Sequence, residues 1–370
     1  MRILFYANSL APAGGVERVI SKHIAFLEKH HEIILLTKDS VNSFYPLPNN
    51  VQRESLKIHF HLNLSSRVQR ISTILLSLIK SSWKLHKYLD LTKPDVVYVA
   101  TPLNLLELQI ANLLSLRFSI KNVCVTEHSS YRAYNFVYKS IIQLLYPRVG
   151  LLLVPTRGDH ALYSAFNIRS HYLANPLPFD PILSSNHENK TVLNVGRLTD
   201  DKQHSVLLDI WSKTKFREGW ILKIIGEGEN YLAIKSQIAR LGIESSVQLC
   251  PVTKNIEAEY ASASIFALSS RAEGFGLVIL EAMACGLPCI AFDCPTGPRD
   301  MIENERSGYL IPPEDQVSYI KHLEALLESY SLRKTMGQNA KQSIHFFSPQ
   351  NIALQLNALI DSAFKIQKIS

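Results

Sequence analysis

The chain opens on an apolar run, Arg2 to Tyr6, breaks at Pro12-Ala13-Gly14-Gly15, then takes helical spacing from Val16 to Lys29 before a second apolar run, Glu32 to Thr37. Strand, glycine-bearing turn, amphipathic helix and strand is the order of a parallel α/β unit. The same order returns at Thr191 to Val195, with Gly196-Arg197-Leu198, a helix from His204 to Lys215, and a strand from Ile221 to Ile225 ahead of Gly226-Glu227-Gly228. Further strands are predicted at Val96 to Ala100, Val123 to Thr126, Leu151 to Val154, Val247 to Cys250, Ile265 to Leu268 and Pro288 to Phe292. The pattern predicts an α/β chain of two Rossmann-like, doubly wound parallel-sheet domains, residues 1–180 and 181–370. Asn175-Pro176-Leu177-Pro178 and the polar run Ser184 to Asn189 interrupt the periodicity between them. A last helix, Ser348 to Phe364, can cross back to the first domain.

One segment does not belong to the alternation. From Ser65 to Leu89, Val68, Ile71, Leu75, Leu78, Ile79 and Leu85 recur on one side, while Arg67, Arg70, Lys80, Lys84 and Lys87 decorate the rest. This is a basic amphipathic helix, suited either to rest on anionic headgroups or to pack on its own sheet with a solvated basic face.

Composition narrows the class. A length of 370 residues suits two cores, and 46% hydrophobic with 19% charged residues fits a globular enzyme rather than a disordered or fibrous chain. No apolar stretch reaches the roughly 18 to 20 residues of a membrane helix, and the opening run, ended by Asn8, reads as a first strand rather than a leader. The five cysteines, Cys124, Cys250, Cys285, Cys289 and Cys294, read as reduced thiols of a cytoplasmic chain; the spacing of the last three is wrong for zinc and no fourth ligand is near. The net charge of +7 is uneven: residues 1–180 hold 20 Lys and Arg against 11 Asp and Glu, and residues 181–370 hold 19 against 21. The basic half should face something anionic. With no nucleic-acid motif in the chain, the inner face of a membrane is the expected partner and nucleic acid is not.

The densest chemistry lies from Ser269 to Pro288. A strand gives way to a glycine turn, Gly274-Phe275-Gly276-Leu277, and then a helix, so free backbone N–H groups and the helix dipole converge on one spot where an anion belongs. Glu273 stands at the turn and Glu281 follows eight residues later, about two helical turns on and on much the same face. Carboxylates beside a phosphate cradle fit better as acceptors for sugar hydroxyls than as phosphate ligands, although Glu281 alone could be a solvated helix position. Arg197 leaves a strand at the edge where open α/β sheets bind ligands, and Lys202 ends the same loop. The two cations can converge on a diphosphate without a metal, or be ordinary surface charges. No Asp-x-Asp occurs, which favours metal independence.

Taken in order, Gly14-Gly15-Val16-Glu17-Arg18, Val195-Gly196-Arg197-Leu198 with Lys202, Gly226-Glu227-Gly228 and the Glu273-x7-Glu281 pair resemble glycosyltransferase family 4 over residues 2 to about 365. Thr126-Glu127-His128-Ser129-Ser130-Tyr131 and Cys294-Pro295-Thr296-Gly297-Pro298-Arg299 further resemble bacterial exopolysaccharide and polyprenyl-diphosphate-glycan transferases, amylovoran-type enzymes among them.

The resemblance implies a GT-B fold, with the two domains facing across a cleft, and a retaining, metal-independent transferase without a cofactor. Its co-substrate would be a nucleotide diphosphate sugar, UDP most commonly. It implies that Arg197 and Lys202 neutralise the diphosphate, that Glu273 and the amides of Gly274, Phe275, Gly276 and Leu277 hold the donor sugar, and that Glu281 takes the ribose. His128 would contact sugar and acceptor, and Gly14 and Gly15 would let the first loop approach the diphosphate. The acceptor would be a lipid-linked oligosaccharide, lipopolysaccharide or polysaccharide precursor. Around Pro251 to Thr253, the expected base pocket, the sequence departs from the family's apolar-Gly pattern. A UDP-sugar epimerase on the same fold and a non-catalytic basic binding protein are the alternatives.

Overall fold

The structure, a computed structural model, describes residues 1–58, 67–115 and 118–365, and not the side chains of residues 67–75 and 114–115. The chain divides into two compact units, residues 1–176 with 349–370, and residues 177–348.

The first unit is built on seven strands, β1 (Arg2–Ala7), β2 (Glu32–Thr37), β3 (Gln52–Ser55), β4 (Val96–Val99), β5 (Val123–Thr126), β6 (Leu151–Val154) and β7 (His171–Tyr172). They run parallel in the order β3-β2-β1-β4-β5-β6-β7. The helices are α1 (Gly15–Leu27), α2 (Arg67–Thr92), α3 (Pro102–Ser115), α4 (Phe136–Leu145) and α5 (Arg157–Ala165). Central strands such as β4 and β5 are buried at every residue, as a parallel sheet covered on both faces requires. The Val- and Leu-rich runs that predicted them are the consequence. Strand β3, Gln-Arg-Glu-Ser, is an exposed edge with no apolar signal, which is why periodicity misses it.

The second unit has six parallel strands, β8 (Thr191–Val195), β9 (Ile221–Ile225), β10 (Val247–Cys250), β11 (Ile265–Leu268), β12 (Cys289–Phe292) and β13 (Gly308–Ile311), ordered β10-β9-β8-β11-β12-β13. Its helices are α6 (His204–Lys213), α7 (Tyr231–Leu241), α8 (Ile256–Ser262), α9 (Leu277–Ala284), α10 (Pro298–Met301), α11 (Gln316–Glu328) and α12 (Tyr330–Ser343). Helix α13 (Pro349–Phe364) belongs to the first unit and packs on α1. In each sheet the winding reverses once, between β1 and β4 and between β8 and β11. At such a switch point the loops leaving the carboxyl ends of neighbouring strands diverge, and a crevice for a ligand opens.

Each unit has its own core. Leu4, Val97, Val125 and Leu152 lie in the first, and Val192, Leu222, Ile265 and Trp211 in the second. All five cysteines are free thiols.

Helix α2 departs from the expected face. Leu85 and Leu89 point inward, but Ile79 is 61% exposed, and Ser77, Ser81 and Ser82 are buried in its stead. Three small serines on the buried side suit a helix that lies close on its neighbours, α3 foremost. Lys84 is not a solvated cation either: its Nζ donates to the Leu56 carbonyl at 2.5 Å. Ser65 lies outside the described residues, as do the side chains of Arg67, Val68, Arg70, Ile71 and Leu75.

Candidate functional site

The second unit's site forms where β8 and β11 end, at its switch point. Beyond β8 the chain runs through Gly196, Arg197 and Leu198 into a single 3-10 turn, Asp200–Lys202. The loop has little freedom, because Gly226 sits against it so tightly that a Cβ there would collide with the Gly196 carbonyl, and the Leu198 amide donates to the Glu227 carbonyl at 2.9 Å. The Gly-Glu-Gly segment is therefore the floor of the Arg197 loop.

Beyond β11 the chain makes the turn that ends at Gly276, whose φ of +92° is the left-handed conformation that glycine adopts without a Cβ penalty. Gly276 caps α9 with no side-chain bond, so the first amides of that helix remain available. Behind the turn, Thr296 Oγ1 donates to the Glu273 carbonyl at 2.7 Å, and a Cβ at Gly297 would strike the Phe275 carbonyl. The Cys294-Pro295-Thr296-Gly297 segment buttresses the Glu273 turn, a role its sequence alone did not disclose.

The two loops are stitched together. Lys202 Nζ meets Glu273 Oε2 at 2.8 Å, Ser269 Oγ donates to the Lys202 carbonyl at 2.9 Å, and the Arg271 amide donates to the Asp201 carbonyl at 2.8 Å. Glu273 is buried, and its other oxygen accepts from Ser270 Oγ at 2.7 Å. Lys202 thus sits at the Glu273 carboxylate, not free in solvent. Arg197 differs: it is exposed, makes no close ion pair among the described residues, and acts on the Asp201 carboxylate only at longer range. Glu281, further along α9, is buried and accepts from the Tyr260 hydroxyl at 2.7 Å, so it is not a solvated helix position. Pro251 and Val252 are exposed beyond β10.

In the first unit Gly14 caps α1, with the Glu17 carboxylate folded against it where a Cβ would stand. Two turns along α1, His23 is buried and its Nδ1 lies 2.7 Å from the Tyr98 hydroxyl. His128, just past β5, is half-buried, and its Nε2 has no hydrogen-bond partner among the described residues. Burial pulls His128 down to about 4, and burial together with the charge of His128 pulls His23 down to about 3. The two imidazoles are neighbours, and both are neutral near pH 7. Next to His128, Glu127 is buried and accepts from the Tyr134 hydroxyl at 2.7 Å and from the Tyr146 hydroxyl. Burial pushes it up to about 7, against the pull of the two phenols.

At this unit's switch point a second polar group was also missed from sequence. Lys38 Nζ meets Glu107 Oε1 at 2.6 Å, Tyr6 donates to Glu107 Oε2 at 2.8 Å, and Asn104 Nδ2 donates to Asn8 Oδ1 at 3.0 Å, which fixes the exposed Asn8 amide. These partners lie 69 to 101 residues apart, and no local spacing links them.

A glycine-rich cradle with cations and carboxylates at one switch point agrees with what known proteins report. The chain is 30% identical over 372 residues to the amylovoran biosynthesis glycosyltransferase AmsD of Erwinia amylovora, covering 97% of this chain and 99% of that one. The chain belongs to the group 1 glycosyltransferases. The family profile described as "Glycosyl transferases group 1" matches residues 179–343 of this glycosyltransferase, the segment that carries the cradle. A Campylobacter jejuni α-1,4-N-acetyl-D-galactosaminyltransferase acting on an undecaprenol-diphosphate-linked glycan is 26% identical over 95% of this chain and 96% of its own. The solved structure of Anabaena HepE in complex with UDP shares the fold with a TM-score of 0.76 at 19% identity, over 98% of this chain and all of that one. The fold of this glycosyltransferase is GT-B.

Proposed function

We propose that this glycosyltransferase moves a hexose or N-acetylhexosamine from a nucleoside diphosphate sugar, with uracil as the base, to a lipid-linked oligosaccharide, lipopolysaccharide or polysaccharide precursor. The observation that carries the reading is the stitched pair of loops, with Lys202 and Glu273 in contact at 2.8 Å and the exposed Arg197 on the same loop as Lys202. A diphosphate entering there meets Arg197, Lys202 and the free amides at the start of α9. Its arrival offers Lys202 a second anion, and Glu273 is then able to turn from ammonium to sugar hydroxyl. Glu281, oriented by Tyr260, takes the ribose hydroxyls.

The chemistry is substitution with retention. The acceptor oxygen bonds to the anomeric carbon on the face the diphosphate leaves, the bond from that carbon to the phosphate oxygen breaks, and the acceptor proton passes to the departing diphosphate. No protein nucleophile and no metal take part; the developing negative charge is met by Arg197, Lys202 and the α9 amides, the kind of preorganised electrostatics that dominates such barriers. His128, neutral and with Nε2 unpartnered among the described residues, supplies a hydrogen bond to the sugar or acceptor, and the Gly14–Gly15 turn approaches the diphosphate once the Glu17 carboxylate that lies against Gly14 swings away. Support comes from the C. jejuni relative, whose product is α-linked on a polyprenyl carrier, and from the UDP bound by HepE. A lipid-linked acceptor would bring the chain to the inner face of a membrane; among the described residues no helix is long and apolar enough to cross one.

The test is a thermal-shift panel of UDP, GDP and ADP, followed by turnover of the matching sugar nucleotides with EDTA present. UDP should raise the melting temperature most, EDTA should leave turnover unchanged, and the product should carry the donor's anomeric configuration by NMR. Inversion at the anomeric carbon, or turnover that EDTA abolishes, would refute the mechanism.

A further inference from the structure

Helix α2 is amphipathic in the reverse sense to an ordinary surface helix. On the side turned to α3 and the sheet it buries Ser77, Ser81 and Ser82 beside Leu85 and Leu89. On the other side Leu76 is 60%, Ile79 61% and Trp83 51% exposed, and Leu91 continues the series. At about 100° per residue, Leu76, Ile79, Lys80, Trp83 and Lys87 fall within an arc of about 100°. Large apolar side chains and lysines therefore share one strip while small polar residues face the protein. Lys87 Nζ lies 3.8 Å from the Trp83 ring centre, which holds that indole in an outward orientation. The acid on this side, Asp90, faces His86 at 3.8 Å.

We propose that this strip of α2, Leu76, Ile79 and Trp83 flanked by Lys80 and Lys87, inserts into the headgroup region of an anionic bilayer. The occupant follows from the chemistry of the strip. A tryptophan with lysines around exposed leucine and isoleucine matches the boundary between acyl chains and negative headgroups, where indole and ammonium both find partners. The first half of the chain, at 20 cations against 11 anions, adds a long-range attraction of the same sign. Burial of the apolar strip gives depth, and the lysines give preference for anionic lipid. This deepens the reading of a lipid-linked acceptor, since the unit carrying Asn8 and His128 would be the one resting on the membrane that holds it.

The experiment uses the full chain with phosphatidylcholine vesicles, with and without roughly one-third phosphatidylglycerol, at near-physiological salt. Trp211 and Trp220 are buried, so a blue shift of tryptophan emission on mixing reports Trp83. The expected result is a blue shift and co-sedimentation with the anionic vesicles and much less with the neutral ones. Trp83→Glu and Ile79→Glu should weaken partitioning more than tenfold. Lys80→Gln and Lys87→Gln should each cost about fivefold, whereas Lys84→Gln, whose ammonium is taken by Leu56, should leave partitioning unchanged. Equal binding of Trp83→Glu and wild type, or equal binding to neutral and anionic vesicles, overturns the proposal. So does a concentration-dependent dimer that hides Trp83 without lipid, seen by sedimentation velocity. Transfer from UDP-sugar to a lipid-linked acceptor in detergent micelles and to a soluble glycan separates the two readings: transfer to the lipid-linked acceptor without vesicle binding refutes only the docking strip, and vesicle binding with transfer to the soluble glycan alone refutes only the lipid-linked acceptor.

Discussion

Arg197 and Lys202 carry the same charge on the same short loop, yet their surroundings give them different duties. Lys202 is tied to Glu273, which is buried; Arg197 is exposed and forms no close ion pair among the described residues, although its charge reaches Asp201 on the same loop. Arg197→Ala should therefore leave the melting temperature nearly unchanged and lower kcat by about a hundredfold or more, as expected when one cation facing a leaving diphosphate is lost. Lys202→Ala should lower both, because it also strands the Glu273 carboxylate; a loss of about 1 to 3 kcal/mol in urea unfolding is expected. Steady-state kinetics beside denaturation curves for the two variants checks the split. Glu127 makes a different prediction. Its carboxyl is raised from the ordinary 4.5 to about 7, so between those values the unfolded chain has given up a proton that the folded chain keeps, and folding loses stability as pH rises. Glu127→Gln, which mimics the protonated acid, should gain on the wild type from pH 4.5 to pH 7, by about 3 kcal/mol at most. A gap between the two unfolding curves that stays constant over that window would contradict this origin.

Helix α9 begins at a residue that must be left-handed. Gly276→Ala forces a Cβ onto a φ of +92° and within 3.4 Å of both Ile279 Cδ1 and Met301 Cε. It should cost about 1 to 2 kcal/mol and, by tilting the first amides of α9, weaken UDP binding more than it lowers stability; calorimetric titration with UDP measures this. The start of this helix was readable from the glycine turn alone. The facing of α2 was not. Its hydrophobic residues lie close to helical spacing on more than one side, and only the packing of α2 within the unit, which buries its serines, decides that Ile79 faces out. The two-residue strand β7 and the polar strand β3 escaped for a related reason, since an edge strand needs little burial and carries little signal.

For the whole molecule, two separate cores and a donor site built within residues 177–348 predict where a ligand acts. UDP at about a hundred times its Kd should add about 2.7 kcal/mol of stability, and hydrogen exchange should slow chiefly around residues 196–204 and 269–281. Protection confined to residues 1–176 would contradict the donor site. The sequence by itself determined the alternation of buried parallel strands and helices, and the local motifs at Gly14, Gly196, Gly226 and Gly276, because each depends on residues within one turn or one strand. The tertiary structure decided which charges meet. Lys202 with Glu273, Glu281 with Tyr260, Lys38 with Glu107 and His23 with Tyr98 are contacts between chain segments 21 to 75 residues apart. Only the packing of each unit, with its strand order bringing distant loop ends together at its own switch point, converts those separations into a few ångströms.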